Sequence, residues 1–164
     1  MPSKTATLVL NADNVAKLSI TNTPQNVERI DGGTGIDTIK LDGSGIVVDL
    51  TLVKTTTVQN IEKIDLTGSG DNTLKLNLTD LLQLSDKLNS FNSSNTTSGL
   101  GATVAKNQLM IEGDTGDKVT LTDLTSWTAD ATNVVANGTT YVAYNHNTSA
   151  AQLLIDQQLA VTQV

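Results

Sequence analysis

The chain has no cysteine, which removes disulfides and thiolate metal sites from its repertoire. Aromatic side chains make up only 2% of its 164 residues, so leucine, isoleucine and valine must fill the core. Narrow stacks of short strands are filled that way, because aliphatic residues on successive strands line up. Cationic charge is also scarce: 10 Lys and Arg stand against 17 Asp and Glu, a formal net charge of −7. Nucleic acid is thereby excluded as a partner, since phosphate binding needs a basic face. With one histidine and no cysteine, the usual nucleophile triads are out of reach. No apolar run approaches the roughly 20 residues of a membrane helix, so no transmembrane segment is expected. Met1-Pro2-Ser3-Lys4 opens without an apolar stretch, which argues against a cleavable signal peptide. Export would then use a C-terminal signal, or the chain would be a piece of a longer one.

What is present is glycine and aspartate in a specific order. Residues 32–40, Gly-Gly-Thr-Gly-Ile-Asp-Thr-Ile-Lys, fit the nonapeptide G-G-x-G-x-D-x-U-x at every specified position, with Ile39 as the large apolar residue. The glycines permit a tight turn, Asp37 supplies a hard anionic oxygen, and Ile39 starts a short buried strand. Carbonyl and carboxylate oxygens are the ligands a calcium ion takes.

A partial copy follows at an offset of 34 residues. Asn26-Val27-Glu28-Arg29-Ile30-Asp31 is answered by Asn60-Ile61-Glu62-Lys63-Ile64-Asp65, and Asp37–Leu41 by Asp71–Leu76. Lys40 and Lys75 then hold equivalent outward positions. Ile46, Val48, Leu50 and Leu52 alternate with Val47, Asp49 and Thr51 as a period-2 strand, and Leu74, Leu76 and Leu78 with Lys75 and Asn77. An offset of 34 reads as two turns of a coil, hence an all-β, parallel β-solenoid or β-roll-like stack. Two further strands are expected at Leu8–Leu10 and Val15–Ile20. Residues 79–86 read as a short helix with Thr79 as N-cap, and residues 90–102 as an exposed, mobile loop. Leu109, Ile111, Val119 and Leu121 begin a weaker third copy. Asn137-Gly138 signals a hairpin, and the tail through Leu159–Thr162 reads as an antiparallel cap that protects the open end. The length suits a single domain, 1–164, divided into rungs (1–78), helix and loop (79–108), and a further rung with the cap (109–164).

The candidate metal ligands are Asp37 with the carbonyls of Gly32, Gly33 and Gly35, and then Asp71 and Asp117. Two readings stand for these carboxylates. They bind calcium between stacked loops, or they are turn formers that accept backbone hydrogen bonds. Residues 41–49, which a second calcium loop would occupy, do not repeat the motif. No catalytic set emerges. His146 sits in the polar stretch Tyr144–Asn147 and reads as a hairpin tip, and Arg29 occupies the position of Lys63 in the other copy. Trp127 reads as a core or cap residue in preference to a sugar-stacking platform.

The nonapeptide, the run Asn60–Leu74, the segment Leu76–Asp86, and Gly113–Leu121 with a Trp soon after together resemble modules of very large repeats-in-toxin adhesins of Gram-negative bacteria. The likeness covers roughly residues 26–160. It implies export by type I secretion, folding outside the cell on meeting calcium, and a place on the bacterial surface in attachment or biofilm formation. Gly32, Gly33, Gly35 and Asp37 correspond to its calcium-turn positions. The chain departs from the family's tandem arrays in having one complete nonapeptide. The expected function is therefore a non-catalytic structural or adhesive module, monomeric within a larger chain and calcium-stabilised. The rivals are a tip domain for a cell-surface glycan or protein ligand, contacted near residues 90–102, Trp127, Tyr141 and Tyr144, and a polysaccharide-active β-helix enzyme.

Overall fold

The computed structural model describes residues 5–8, 30–41, 43–53, 57–85, 87–91, 97–98 and 105–163. Its first strands are β1 (Thr5–Leu8), β2 (Ile30–Asp31), β3 (Thr38–Leu41), β4 (Val47–Asp49), β5 (Val58–Gln59), β6 (Lys63–Asp65) and β7 (Thr73–Leu76). Helix α1 (Leu78–Leu84) and β8 (Thr97–Ser98) follow. The rest is β9 (Asn107–Glu112), β10 (Lys118–Leu121), β11 (Trp127–Ala129), β12 (Val134–Ala136), β13 (Thr139–His146), β14 (Ala151–Asp156) and β15 (Ala160–Gln163). Among the described residues the protein is mostly β, with one α-helix.

Three sheets share these strands. The first runs β1-β3-β6-β9-β14, all parallel, and continues antiparallel through β13, β12 and β8, with β11 also on β13. The second is the parallel set β4-β7-β10-β15, and the third is the pair β2-β5. The chain therefore visits sheets three, one and two in turn, as β2-β3-β4 and again as β5-β6-β7. Afterwards it alternates between the first two sheets, as β9-β10 and β14-β15.

Register makes the core. In the first sheet Ile39, Ile64, Ile111 and Ile155 stand opposite one another in succession, each 8% exposed or less. In the second, Val48, Leu74, Val119 and Val161 form the matching row. Parallel neighbours at about 4.8 Å bring identical or similar aliphatic chains into contact, so two aliphatic ladders fill the interior with little aromatic material. A second cluster, Phe91, Met110, Val134, Ala136, Tyr141, Ala143 and Leu154, lies apart from them. Strand β9 is consequently buried on both sides: Met110, which alternates with Leu109 and Ile111, is 3% exposed.

Several expectations are corrected. The 34-residue copies do not stack on each other. Thr38 pairs with Lys63 and Val47 with Thr73, so the first passes repeat at 25 and 26 residues. The sequence copies fall in different sheets, because Asp37–Leu41 enters the first sheet and Asp71–Leu76 the second. The alternating run 46–52 is a strand only over Val47–Asp49. A 3-10 turn then takes Leu50–Leu52 and leaves Leu52 73% exposed. The helix is capped by Asn77, not Thr79: the Asp80 amide donates to Asn77 Oδ1 (3.1 Å) and the Asn77 amide to Asp80 Oδ2 (2.8 Å). That reciprocal box satisfies two otherwise orphaned donors, which a threonine two positions later cannot do. Within the expected loop 90–102, Phe91 is buried and Thr97–Ser98 pairs with β12. Strands β14 and β15 belong to the parallel sheets, so the antiparallel cap is confined to β8 and β11–β13. The Asn137-Gly138 hairpin forms as expected, at φ +50° and +85°. The strand expected at Val15–Ile20 and the side chain of Arg29 lie outside the described residues. Among the described residues no helix is long and apolar enough to cross a membrane.

Candidate functional site

The six expected ligand positions fall at two different corners. Gly32, Gly33, Gly35 and Asp37 form the turn between β2 and β3. Asp71 and Asp117 sit where the chain crosses from the first sheet to the second.

At the glycine turn, the Gly32 amide donates to Gln59 O (3.1 Å) and the Gly33 amide to Asp31 Oδ1 (3.1 Å). Asn60 Nδ2 donates to the same Asp31 oxygen at 2.7 Å. A Cβ on Gly32 would lie 2.0 Å from Asn60 O, so the two backbones touch only because that side chain is missing. Asp37 is 1% exposed, and beside it lies Glu62 at 2%. Their link is a backbone one: the Asp37 amide donates to Glu62 Oε2 at 2.9 Å, and the Glu62 and Lys63 amides both donate to Asp37 O. Burial pushes the Glu62 carboxyl above its ordinary range, and the Asp37 carboxylate adds to the rise, while the Asp37 amide and Lys87 oppose it. Above the turn opens a cavity of about 440 Å³ lined by Gly33, Thr34, Gly35, Asn60, Glu62 and Lys87.

At the second corner the same device recurs with different residues. Asp117 Oδ1 accepts from the Asn72 amide (2.7 Å), and Asn72 Oδ1 accepts from the Ile46 amide (2.9 Å). Glu62, Asn72 and Asp117 each hold the amide of the residue at the same height in the preceding pass. Asp117 Oδ2 also accepts from the Asp114 amide at 2.8 Å. Both oxygens of Asp117 are thus engaged by backbone amides, and its turn-forming role is directly visible. Asp71 is exposed and its carboxylate lies against Gly116, which has φ +111°.

A third acidic region joins Glu112, Asp114 and Asp156 along a cleft of about 300 Å³. Lys63 Nζ (2.6 Å) and the Tyr141 hydroxyl (2.7 Å) both reach Glu112 Oε1. Burial, then repulsion from Glu112 and Asp114, pushes the Asp156 carboxyl upward. Among the described residues no three His, Cys, Asp or Glu side chains converge as ion ligands.

Trp127 is buried as expected, its Nε1 donating to Asp123 Oδ1 at 2.9 Å. His146 ends strand β13 opposite Trp127, and the two rings meet edge to face at 4.9 Å. It is the last strand residue and not a hairpin tip, because β11 pairs with β13 through Tyr144, Asn145 and His146 and the bend begins only at Asn147.

Glu62 was not among the expected ligands, yet its carboxylate accepts the Asp37 amide. Its signal was the shared glutamate of the two hexapeptides, Glu28 and Glu62, which is an odd residue for a turn unless something there needs an acid. No family model, curated protein or solved structure matches the chain.

Proposed function

We infer that this domain is a non-catalytic, calcium-stabilised module of a secreted bacterial surface adhesin, built as a parallel β-solenoid. The observation that carries the metal part is two almost fully buried acidic residues, Asp37 and Glu62, joined through the Asp37 amide at a glycine turn, with the charge of one raising the carboxyl of the other. Two adjacent buried acids repel and lose hydration, and a bound cation would offset part of that cost. The residues fit a hard divalent ion: two carboxylates and a set of glycine-turn carbonyls supply oxygen donors only. The solenoid reading rests on the serial visits to the same parallel sheets and on the unbroken Ile39–Ile64–Ile111–Ile155 ladder.

Calcium at this turn would add positive charge to that of Lys87, which lines the same cavity. Asp37 and Glu62 would hold the ion, with turn carbonyls completing the shell, and folding would be linked to its concentration. A module that gains stability only in a calcium-rich exterior stays unfolded during passage through a secretion channel. Melting in calcium and in chelator tests this. The parent chain is expected to melt higher with calcium, Asp37→Asn to lose most of that gain, and Asp117→Asn to keep it. A melt that ignores calcium overturns the metal part and leaves the stacked-sheet module standing.

A further inference from the structure

Away from the glycine turn, one chain of side-chain amides runs from the interior to the surface. The Phe91 amide donates to Gln108 Oε1 (2.9 Å) and Gln108 Nε2 to Gln152 Oε1 (2.7 Å). Gln152 Nε2 donates to Asn145 Oδ1 (2.9 Å), and Asn145 Nδ2 to Asp130 Oδ1 (2.7 Å). Gln108 and Gln152 are 0% and 5% exposed. Each donor in the series fixes the direction of the next, so Asn145 is held with its carbonyl oxygen toward Gln152 and its nitrogen on a carboxylate. Lys106 Nζ also donates to Asn145 Oδ1. Lys106 leads into β9, Asn145 lies in β13, and Asp130 follows β11, so three separate segments meet at one carboxamide.

We propose that Lys106 and Asn145 form a self-made amide cross-link, with Asp130 carrying the proton. The arrangement holds the parts such a reaction needs. The electrophile is a carboxamide whose oxygen accepts from Gln152 Nε2, which polarises its carbonyl carbon. The nucleophile is a lysine nitrogen already held against that group. The departing nitrogen rests on Asp130. In the step, the neutral Lys106 amine attacks Asn145 Cγ, the Nζ–Cγ bond forms and the Cγ–Nδ2 bond breaks. One proton passes from Nζ to Nδ2 through the Asp130 carboxylate, and ammonia leaves. Atoms and charge balance without metal, nucleotide or oxidant. Lysine side chains are mostly protonated at neutral pH, but this reaction occurs once per molecule. A fixed intramolecular pair reacts as if its partner were present at about 10⁵ M or more. The product ties the start of β9 to β13, a staple available to a chain that has no cysteine. This assignment is independent of the calcium reading.

Intact-mass analysis of the purified full chain, held at mildly alkaline pH, tests it. The expected mass is one ammonia below that of the sequence. Trypsin should then leave residues 88–118 joined to 119–164, because cleavage after Lys106 is blocked. Lys106→Arg should keep the full mass and melt lower than the parent. Asp130→Asn, a change at an exposed position, should slow cross-linking about a hundredfold. Three results overturn the proposal: full mass after prolonged incubation, an ammonia deficit confined to an unlinked 119–164 peptide (a succinimide at Asn137-Gly138), or Asp130→Asn reacting at the parent rate.

Discussion

Lys40 stands directly opposite Asp65 across β3 and β6, with Nζ 2.9 Å from Oδ2. The same pair is built in the second sheet, where Lys75 faces Asp49 across β7 and β4 at 3.0 Å. Each aspartate is followed two residues later by a threonine whose amide donates to its Oδ1, Thr67 at 2.8 Å and Thr51 at 3.1 Å. One Asp-Leu-Thr phrase thus ends a strand and pairs with a lysine in both sheets. Both lysines are partly exposed, so the pairs contribute modestly. A double-mutant cycle on Lys40→Met and Asp65→Asn, read by urea unfolding, is expected to give a coupling of roughly 0.5–1 kcal/mol. A coupling indistinguishable from zero would show that the register is set by the isoleucine ladder alone.

Acid dependence should separate two kinds of carboxyl. At Asp65 burial pulls the carboxyl upward, but hydrogen bonds from Thr67 and Lys40 outweigh it and hold it below its ordinary 3.8. The same balance, with Thr51 and Lys75, lowers Asp49. A depressed group stabilises the fold above its unfolded value and loses that contribution as pH falls through the folded one. Asp65→Asn should therefore lower the melting temperature at neutral pH, with the difference shrinking below pH 3.8.

Glu62 has the opposite sign, since its folded value lies above 4.5. The ionised form costs stability at pH above that folded value, and the cost fades as pH falls toward 4.5. In chelator, Glu62→Gln should melt higher than the parent at neutral pH, and the two should converge in acid. A glutamine that melts lower at every pH would mean that accepting the Asp37 amide outweighs the repulsion.

The glycine turn offers a steric test free of metal. Gly33 has φ +87° but open space around its Cβ position, whereas Gly32 has no room at all against Asn60 O. Gly33→Ala is expected to cost about 1–2 kcal/mol for left-handed backbone. Gly32→Ala meets main chain that must shift, costing about 3 kcal/mol, the upper end for overpacking. Equal losses in the two variants, measured by denaturant midpoints, would contradict this close approach.

Ile64 lies between Ile39 and Ile111 and is 3% exposed. Ile64→Ala should cost about 2–5 kcal/mol and Ile64→Val about 0.5–1.5 kcal/mol. Losses near zero would mean that the ladder repacks freely.

The local signals were legible because they are short-range. Alternation placed Ile39 and Leu41 inside with Lys40 outside, and Asn137-Gly138 specified its own hairpin. Stacking was not legible, because register depends on which distant strand offers a complementary edge. The similarity of Asp37–Leu41 to Asp71–Leu76 reflects equal turn chemistry, and equal turns occur at different corners. The helix cap was missed because Asn77 reads as the polar partner in a Leu-x-Leu alternation until Asp80 closes the box. At the candidate site Asp37 was visible through its motif. Glu62, 25 residues away, was brought beside it only by the pairing of β3 with β6.

Unequal spacing between stacked strands has a mechanical consequence. Thr38 and Lys63 are 25 residues apart and Lys63 and Met110 are 47, yet each interval advances the first sheet by one strand, about 4.8 Å. The domain is therefore a ruler graduated in strands and indifferent to contour length. Helix α1, which lies in the longer interval, adds surface without adding a step to the stack. An interval of 47 residues is thus accommodated in the same single step as one of 25.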